Sequence, residues 1–218
     1  LMSQLIFKFP FKITYYEKDF FVSSNNFEAY KLIENWPNWP SKKINIFGPK
    51  GCGKTHLSNI LKKKIDLLYI NASEVTEKTL LDLKFVKCLI IDNYKNNINE
   101  ELFYSLLNQS NQLNQYILVN SIKPIKNARI KLIDLKSRLD SFTNLGITLP
   151  TDDLLRVILT KSFSDKQIEV NVKVLEYILK NIERSYEVIF GVIKKIDKES
   201  LSTGKSININ LIKKVLKK

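Results

Sequence analysis

Over the first 150 residues, short apolar runs alternate with longer stretches of helical periodicity. Ile44 to Phe47, Leu67 to Asn71, Cys88 to Asp92, Tyr116 to Asn120 and Gly146 to Leu149 have strand length and consecutive apolar positions, the pattern of strands covered on both faces. Between them lie amphipathic segments such as Glu100 to Gln112, where Leu102, Leu106 and Leu113 share a face with Phe103 and Leu107. Strand and helix in alternation predict an α/β fold, a five-stranded parallel sheet flanked by helices.

The strand signal stops at Thr151. Leu154/Leu155/Ile158, then Leu175/Ile178/Leu179/Ile182, then Ile189/Val192/Ile193/Ile196 recur at helical spacing, and Leu211, Ile212, Val215 and Leu216 mark a short last helix. Pro150 ends the preceding strand and Thr151 or Asp152 can cap the next helix. The chain therefore divides into an N-terminal segment (residues 1–12), an α/β domain (13–150) and a small all-helical lid (151–218). The Asn-rich stretch from Asn93 to Asn99 reads as a solvated loop.

The chemistry begins where the first of these strands ends. Gly48-Pro49-Lys50-Gly51-Cys52-Gly53-Lys54-Thr55 has the spacing of a phosphate-cradling loop, set between a strand and a helix expected from Lys54 to Lys63. Gly48, Gly51 and Gly53 let backbone N–H groups turn toward phosphate, Lys54 supplies a cation and Thr55 a hydroxyl for magnesium. The run Cys88-Leu89-Ile90-Ile91 ends in Asp92, whose carboxylate can hold the magnesium shell beside Thr55. The next residue is Asn93, an amide that cannot take a proton from an attacking water. Weak hydrolysis, or a nucleotide held rather than consumed, is the expectation. Arg138 and Arg184 stand out as guanidinium groups able to meet a terminal phosphate, although most surface arginines form plain ion pairs.

Composition trims the alternatives. Cys52 lies in the loop and Cys88 in an apolar strand, positions where pairing would distort both elements. His56 is the one histidine, so no His/Cys cluster with zinc spacing can form. The chain has neither a membrane-length apolar run nor a secretory leader, and a cytoplasmic protein is expected. A net charge of +13 fits either an acidic partner or a drift of solvent-facing positions toward lysine, and both readings stay open.

Taken together, the loop with His56-Leu57 after it, Leu89-Ile90-Ile91-Asp92-Asn93, the helix start Glu100-Glu101-Leu102-Phe103 and the Ser137-Arg138-Leu139 box resemble the bacterial DnaA branch of the AAA+ ATPases. The likeness spans nearly the whole chain. Phe21 and Val22, in Phe21-Val22-Ser23-Ser24-Asn25-Asn26, are similar to the adenine-contacting segment of that branch. Within it, the wording from Asp134 to Leu139, the Asp92-Asn93 pair and an end soon after the lid, with no helix-turn-helix domain following, resemble the Hda type. Gln4, Leu5, Phe7 and Phe9 are similar to the peptide with which that type docks into the replicative sliding clamp.

The resemblance implies bound ADP or ATP with Mg, held by Gly48, Gly51, Cys52, Gly53, Lys54, Thr55 and His56. It implies Arg138 as an arginine finger offered to the DnaA initiator, Arg184 as a lid sensor for the chain's own nucleotide, and a first sensor at Ser121 with Asn120 beside it. Many relatives carry aspartate where Ser121 stands. The expected role is a clamp-associated regulator that stimulates ATP hydrolysis by the initiator, itself at most a weak ATPase, reaching DNA through the clamp and compatible with self-association. The alternative is a stand-alone AAA+ ATPase acting directly on DNA.

Overall fold

The structure, a computed structural model, describes residues 14–16, 20–203 and 207–216. Gln4, Leu5, Phe7 and Phe9 lie outside the described residues. The first described elements are an antiparallel pair, β1 (Thr14–Tyr16) and β2 (Phe20–Val22), followed by α1 (Phe27–Glu34). The α/β domain then runs β3 (Lys43–Phe47), α2 (Lys54–Lys64), β4 (Leu68–Asn71), α3 (Glu77–Asp82), β5 (Cys88–Tyr94), α4 (Glu100–Gln112), β6 (Tyr116–Ser121), α5 (Ile133–Asp140) and β7 (Thr143–Gly146). The lid contains α6 (Asp152–Ser164), α7 (Val172–Lys180), α8 (Tyr186–Thr203) and α9 (Ile209–Leu216).

The five strands of the main sheet are parallel, in the order β4-β5-β6-β3-β7. Side chains alternate across a strand, so Cys88 and Ile90 face one layer while Leu89 and Ile91 face the other. Cys88 and Ile90 join Ile44, Ile46, Leu57 and Leu61 in a core under α1 and α2. Leu89 and Ile91 join Phe103, Leu106, Leu107, Leu135 and Leu139 under α4 and α5. Each such aliphatic chain contributes about 1.5–3 kcal/mol by leaving water, which is why the strands read as unbroken apolar runs. Leu113, expected on the inner face of α4, falls at its C-cap and is exposed.

Asn45 interrupts the apolar run of β3, yet is fully buried. Its Nδ2 donates to Val119 O and Ser121 Oγ, each at 2.8 Å, and its Oδ1 accepts from Ile125 N at 3.0 Å. A polar group so completely matched holds the end of β6, and the loop after it, in one position.

The last strand of the sheet is Thr143–Gly146, not Gly146 to Leu149. After Ile147 N donates to Phe47 O (2.8 Å) the chain leaves the sheet, and Thr148 pairs instead with Asn25 ahead of α1. The apolar run there reflects packing of Ile147 and Leu149 into the α1/α2 core rather than a ladder. At the other boundary β5 continues past Asp92. A bulge between Ile91 and Tyr94 places Asn93 at φ 57°, a left-handed conformation that Asn tolerates, and buries Tyr94. The stretch expected as a loop from Asn93 therefore starts as strand.

Thr151 caps α6, its Oγ1 accepting from Leu154 N at 3.3 Å. The lid has its own core of Leu154, Leu155, Ile158, Ile178, Ile189 and Ile196, which Phe21 of the α/β domain also enters. No described helix is long and apolar enough to cross a membrane.

Candidate nucleotide site

The phosphate loop lies at the C-terminal edge of the sheet, where parallel strands and helix N-termini converge and ligands of open α/β sheets bind. Gly51 and Gly53 sit at φ 80° and 105°, positions that cost an L side chain dearly. Gly53 begins α2 without a side-chain cap, so the first N–H groups of that helix remain available to an anion. Lys54 lies back on the loop, its Nζ donating to Gly48 O (2.6 Å) and Pro49 O (2.9 Å). These carbonyls are contacts a phosphate would replace.

Thr55 and Asp92 come together as the spacing predicts, with Thr55 Oγ1 donating to Asp92 Oδ2 at 2.8 Å. Asp92 is 1% exposed, and every acceptor position on it is used. Tyr69 OH also donates to Oδ2, while Asn93 N (2.9 Å) and Asn120 Nδ2 (3.0 Å) donate to Oδ1. Asn120 Nδ2 reaches Ser58 Oγ as well, at 2.7 Å, and its buried Oδ1 has no partner. Burial and then the Asp92 hydrogen bond push the Tyr69 phenol far up from its ordinary range, so it stays a donor.

A cavity of about 500 Å³ opens beside the loop. The core lines it with Phe20, Lys50, Gly51, Gly53, Lys54, Thr55, His56, Asn93, Lys95, Asn120 and Ser121, and the lid adds Tyr186, Glu187 and Phe190. Phe20 stacks toward Tyr186 (centroids 6.4 Å apart) and lies 5.0 Å from the His56 ring, making one wall aromatic.

Gly48, Gly51, Gly53, Lys54, Thr55, His56, Asp92 and Asn120 thus converge on one place. Other expected residues are arranged differently. Phe20 faces the cavity, whereas Phe21 packs into the lid core and Val22 into the α1/α2 core, because β2 alternates its faces. Cys52 is fully buried behind the loop, and burial pushes its thiol up against the opposing pull of Lys54. Ser121 borders the cavity, but its hydroxyl is tied to Lys123 O (2.6 Å) and Asn45, which leaves Asn120 as the amide on Asp92. Arg184 precedes α8 and is not on the cavity wall. Its Nε and Nη2 grip Asp152 Oδ1 (2.5 Å) and Oδ2 (2.8 Å) on the lid surface. Arg138 is partly exposed on α5, outside the cavity lining, and pairs with no described carboxylate. Burial, then the Arg138 charge, push the neighbouring Lys43 ammonium down.

The glycine cradle, the uncapped helix and the cavity fit a nucleotide, and the adjoining hydroxyl and carboxylate of Thr55 and Asp92 fit Mg, which when bound would neutralise phosphate charge there. Sequence reasoning missed Tyr69, Ser58, Phe20, Lys95 and Glu187. Strand alternation from the buried Phe21 would have found Phe20; nothing in the one-dimensional pattern marks the others.

Residues 152–216 match the family model of the Hda lid domain. The DnaA initiators of Buchnera aphidicola subsp. Baizongia pistaciae and subsp. Cinara cedri are 28% and 26% identical over 99% and 88% of this chain. The lid is of the Hda type, and the chain as a whole is similar to DnaA initiators. It spans about half the length of these curated relatives, 53% and 49%. Among solved structures, domain III of Thermotoga maritima DnaA shares the DnaA-related fold with a TM-score of 0.74, at 21% identity over 91% of this chain and 94% of that one. AMPPCP-bound DnaA from Aquifex aeolicus superposes with a TM-score of 0.64, at 21% identity over 84% of this chain and 65% of that one.

Proposed function

We propose that this chain is an Hda-like regulator of replication initiation: an adenine-nucleotide-bound protein that stimulates ATP hydrolysis by the DnaA initiator and so limits re-initiation. The observation that carries the reading is Arg138. Arg138 is half-buried on α5, close enough to Lys43 for its charge to act there, outside the lining of the chain's own cavity and without an ion pair to a described carboxylate, so it is open to a phosphate held by another protein. The Hda-type lid supports the same reading. Gly51, Gly53, Lys54 and Thr55 hold the chain's own nucleotide, with Mg at Thr55 and Asp92. Asn93 on the cavity wall cannot serve as a base, which suits a nucleotide that is retained. Gln4, Leu5, Phe7 and Phe9 tether the protein to the sliding clamp on DNA.

The test mixes the chain, clamp loaded on DNA and ATP-bound initiator, and follows phosphate release. Arg138→Ala is expected to abolish stimulation while leaving the chain's nucleotide affinity unchanged; stimulation at the normal rate removes the finger assignment. A second reading, direct action on DNA, draws on the net charge of +13. It requires intrinsic ATP hydrolysis that rises with DNA and falls steeply with salt.

A further inference from the structure

We propose that Glu187 is a specificity-determining residue of the nucleotide site, its carboxylate setting the penalty for a third phosphate. The inference rests on the nucleotide reading of the cavity and concerns what the lid contributes there.

The start of α8 is seated on the phosphate loop. Tyr186 N donates to Gly51 O at 3.0 Å, and Ser185, 3% exposed, caps the helix by accepting from Val188 N at 3.1 Å. The packing is close enough that a Cβ on Gly51 would lie 2.5 Å from Ser185 Cβ. Residue 187, one turn into the helix at most, is therefore held at a fixed place relative to the loop.

From that place Glu187 borders both the main cavity and a second depression of about 310 Å³ on the far side of Lys50 and Gly51. It is exposed and makes no ion pair with a described residue, although Lys50 and Lys195 line the second depression with it. An acid in the first turn favours the helix through the macrodipole. That accounts for its tolerance in α8 and leaves its charge on the cavity wall.

Lys195 of α8 shares the second depression with Glu187 but does not line the main cavity, and the lid arginine is committed elsewhere. Both edges of the Arg184 guanidinium used in a bidentate grip are occupied by Asp152. Cations on the cavity wall come from the core alone, as Lys50, Lys54 and Lys95. Each added phosphate brings more negative charge, so the repulsion from Glu187 grows from a diphosphate to a triphosphate. One unit charge acting across a partly solvated gap changes an equilibrium by a factor of about 3 to 10.

The experiment measures dissociation constants for ADP and the non-hydrolysable triphosphate AMPPCP by calorimetry, with wild type, Glu187→Gln, Glu187→Lys and Arg184→Ala, at low and high salt. Glu187→Gln is expected to move the AMPPCP/ADP ratio toward the triphosphate by about 3- to 10-fold, and Glu187→Lys further. Salt should shrink the difference in that ratio between wild type and Glu187→Gln, a response that a purely structural role does not produce. An unchanged ratio in both variants, a wild-type-to-Glu187→Gln difference that salt does not change, or a shift caused by Arg184→Ala overturns the proposal. If wild type binds neither nucleotide, the nucleotide reading falls and this inference with it. If the ratio shifts as expected but no initiator ATPase is stimulated, only the regulator reading fails.

Discussion

The Asn120 amide donates to Asp92 Oδ1 at 3.0 Å and, from the same Nδ2, to Ser58 Oγ at 2.7 Å, so one buried group links β5, β6 and α2. Neighbouring parallel strands make this geometry available, and burial makes it costly to disturb.

Replacing Asn120 tests the link. Asn120→Ala is expected to lower stability by about 1–3 kcal/mol in urea unfolding, since Asp92 loses a donor in a dry setting. Asn120→Asp should cost more at pH 7 because it sets a second carboxylate against Asp92.

Gly51→Ala meets two obstacles at once, a backbone at φ 80° and the Ser185 side chain. A stability loss of about 1–3 kcal/mol is expected by denaturant unfolding. Proteolysis should also become faster between core and lid, and equal cleavage rates in variant and wild type would contradict the close seating of α8.

Phe20 and Phe21 should separate by property. Phe20→Leu keeps apolar bulk and removes a ring from the cavity wall, so nucleotide affinity should fall about 3- to 10-fold. Phe21→Leu should leave affinity alone while lowering the melting temperature of the lid. The reverse pattern, read by calorimetry and melting curves, would return the base contact to Phe21.

Tyr186 gives the fold an alkaline limit. Burial pushes its phenol up to about 12, against about 10 in an unfolded chain. The folded state therefore favours the neutral form, and the stability this confers is complete below pH 10 and fades as pH rises through 12. The loss is about 2–3 kcal/mol. Tyr186→Phe, which cannot ionise, should flatten the unfolding profile over that window.

Much of the α/β layer was legible because a parallel strand buried on both faces announces itself through consecutive apolar residues, as Cys88 to Ile91 do. The lid helices were legible for a similar reason, since Leu175, Ile178 and Leu179 repeat at helical spacing. Glycine conformation made the phosphate loop readable. The edge was not: β7 runs through Thr143–Gly146, half-covered and mostly polar, while the apolar signal belongs to the next few residues packing on α1. Arg184 shows the other limit. Its type suited a phosphate, but Asp152 lies 32 positions away in sequence, and only the packing of α6 beside α8 reveals which anion the arginine holds.

The Gly51–Tyr186 hydrogen bond gives the phosphate loop mechanical leverage over the lid. α8 has 18 residues and is about 27 Å long at the usual helical rise. One peptide unit of the loop bears on its near end. Pivoting there by about 5° would carry the far end through about 2 Å over that length. A rearrangement too small to alter the cavity much would still be visible on the outer surface of the lid, where another protein can feel it.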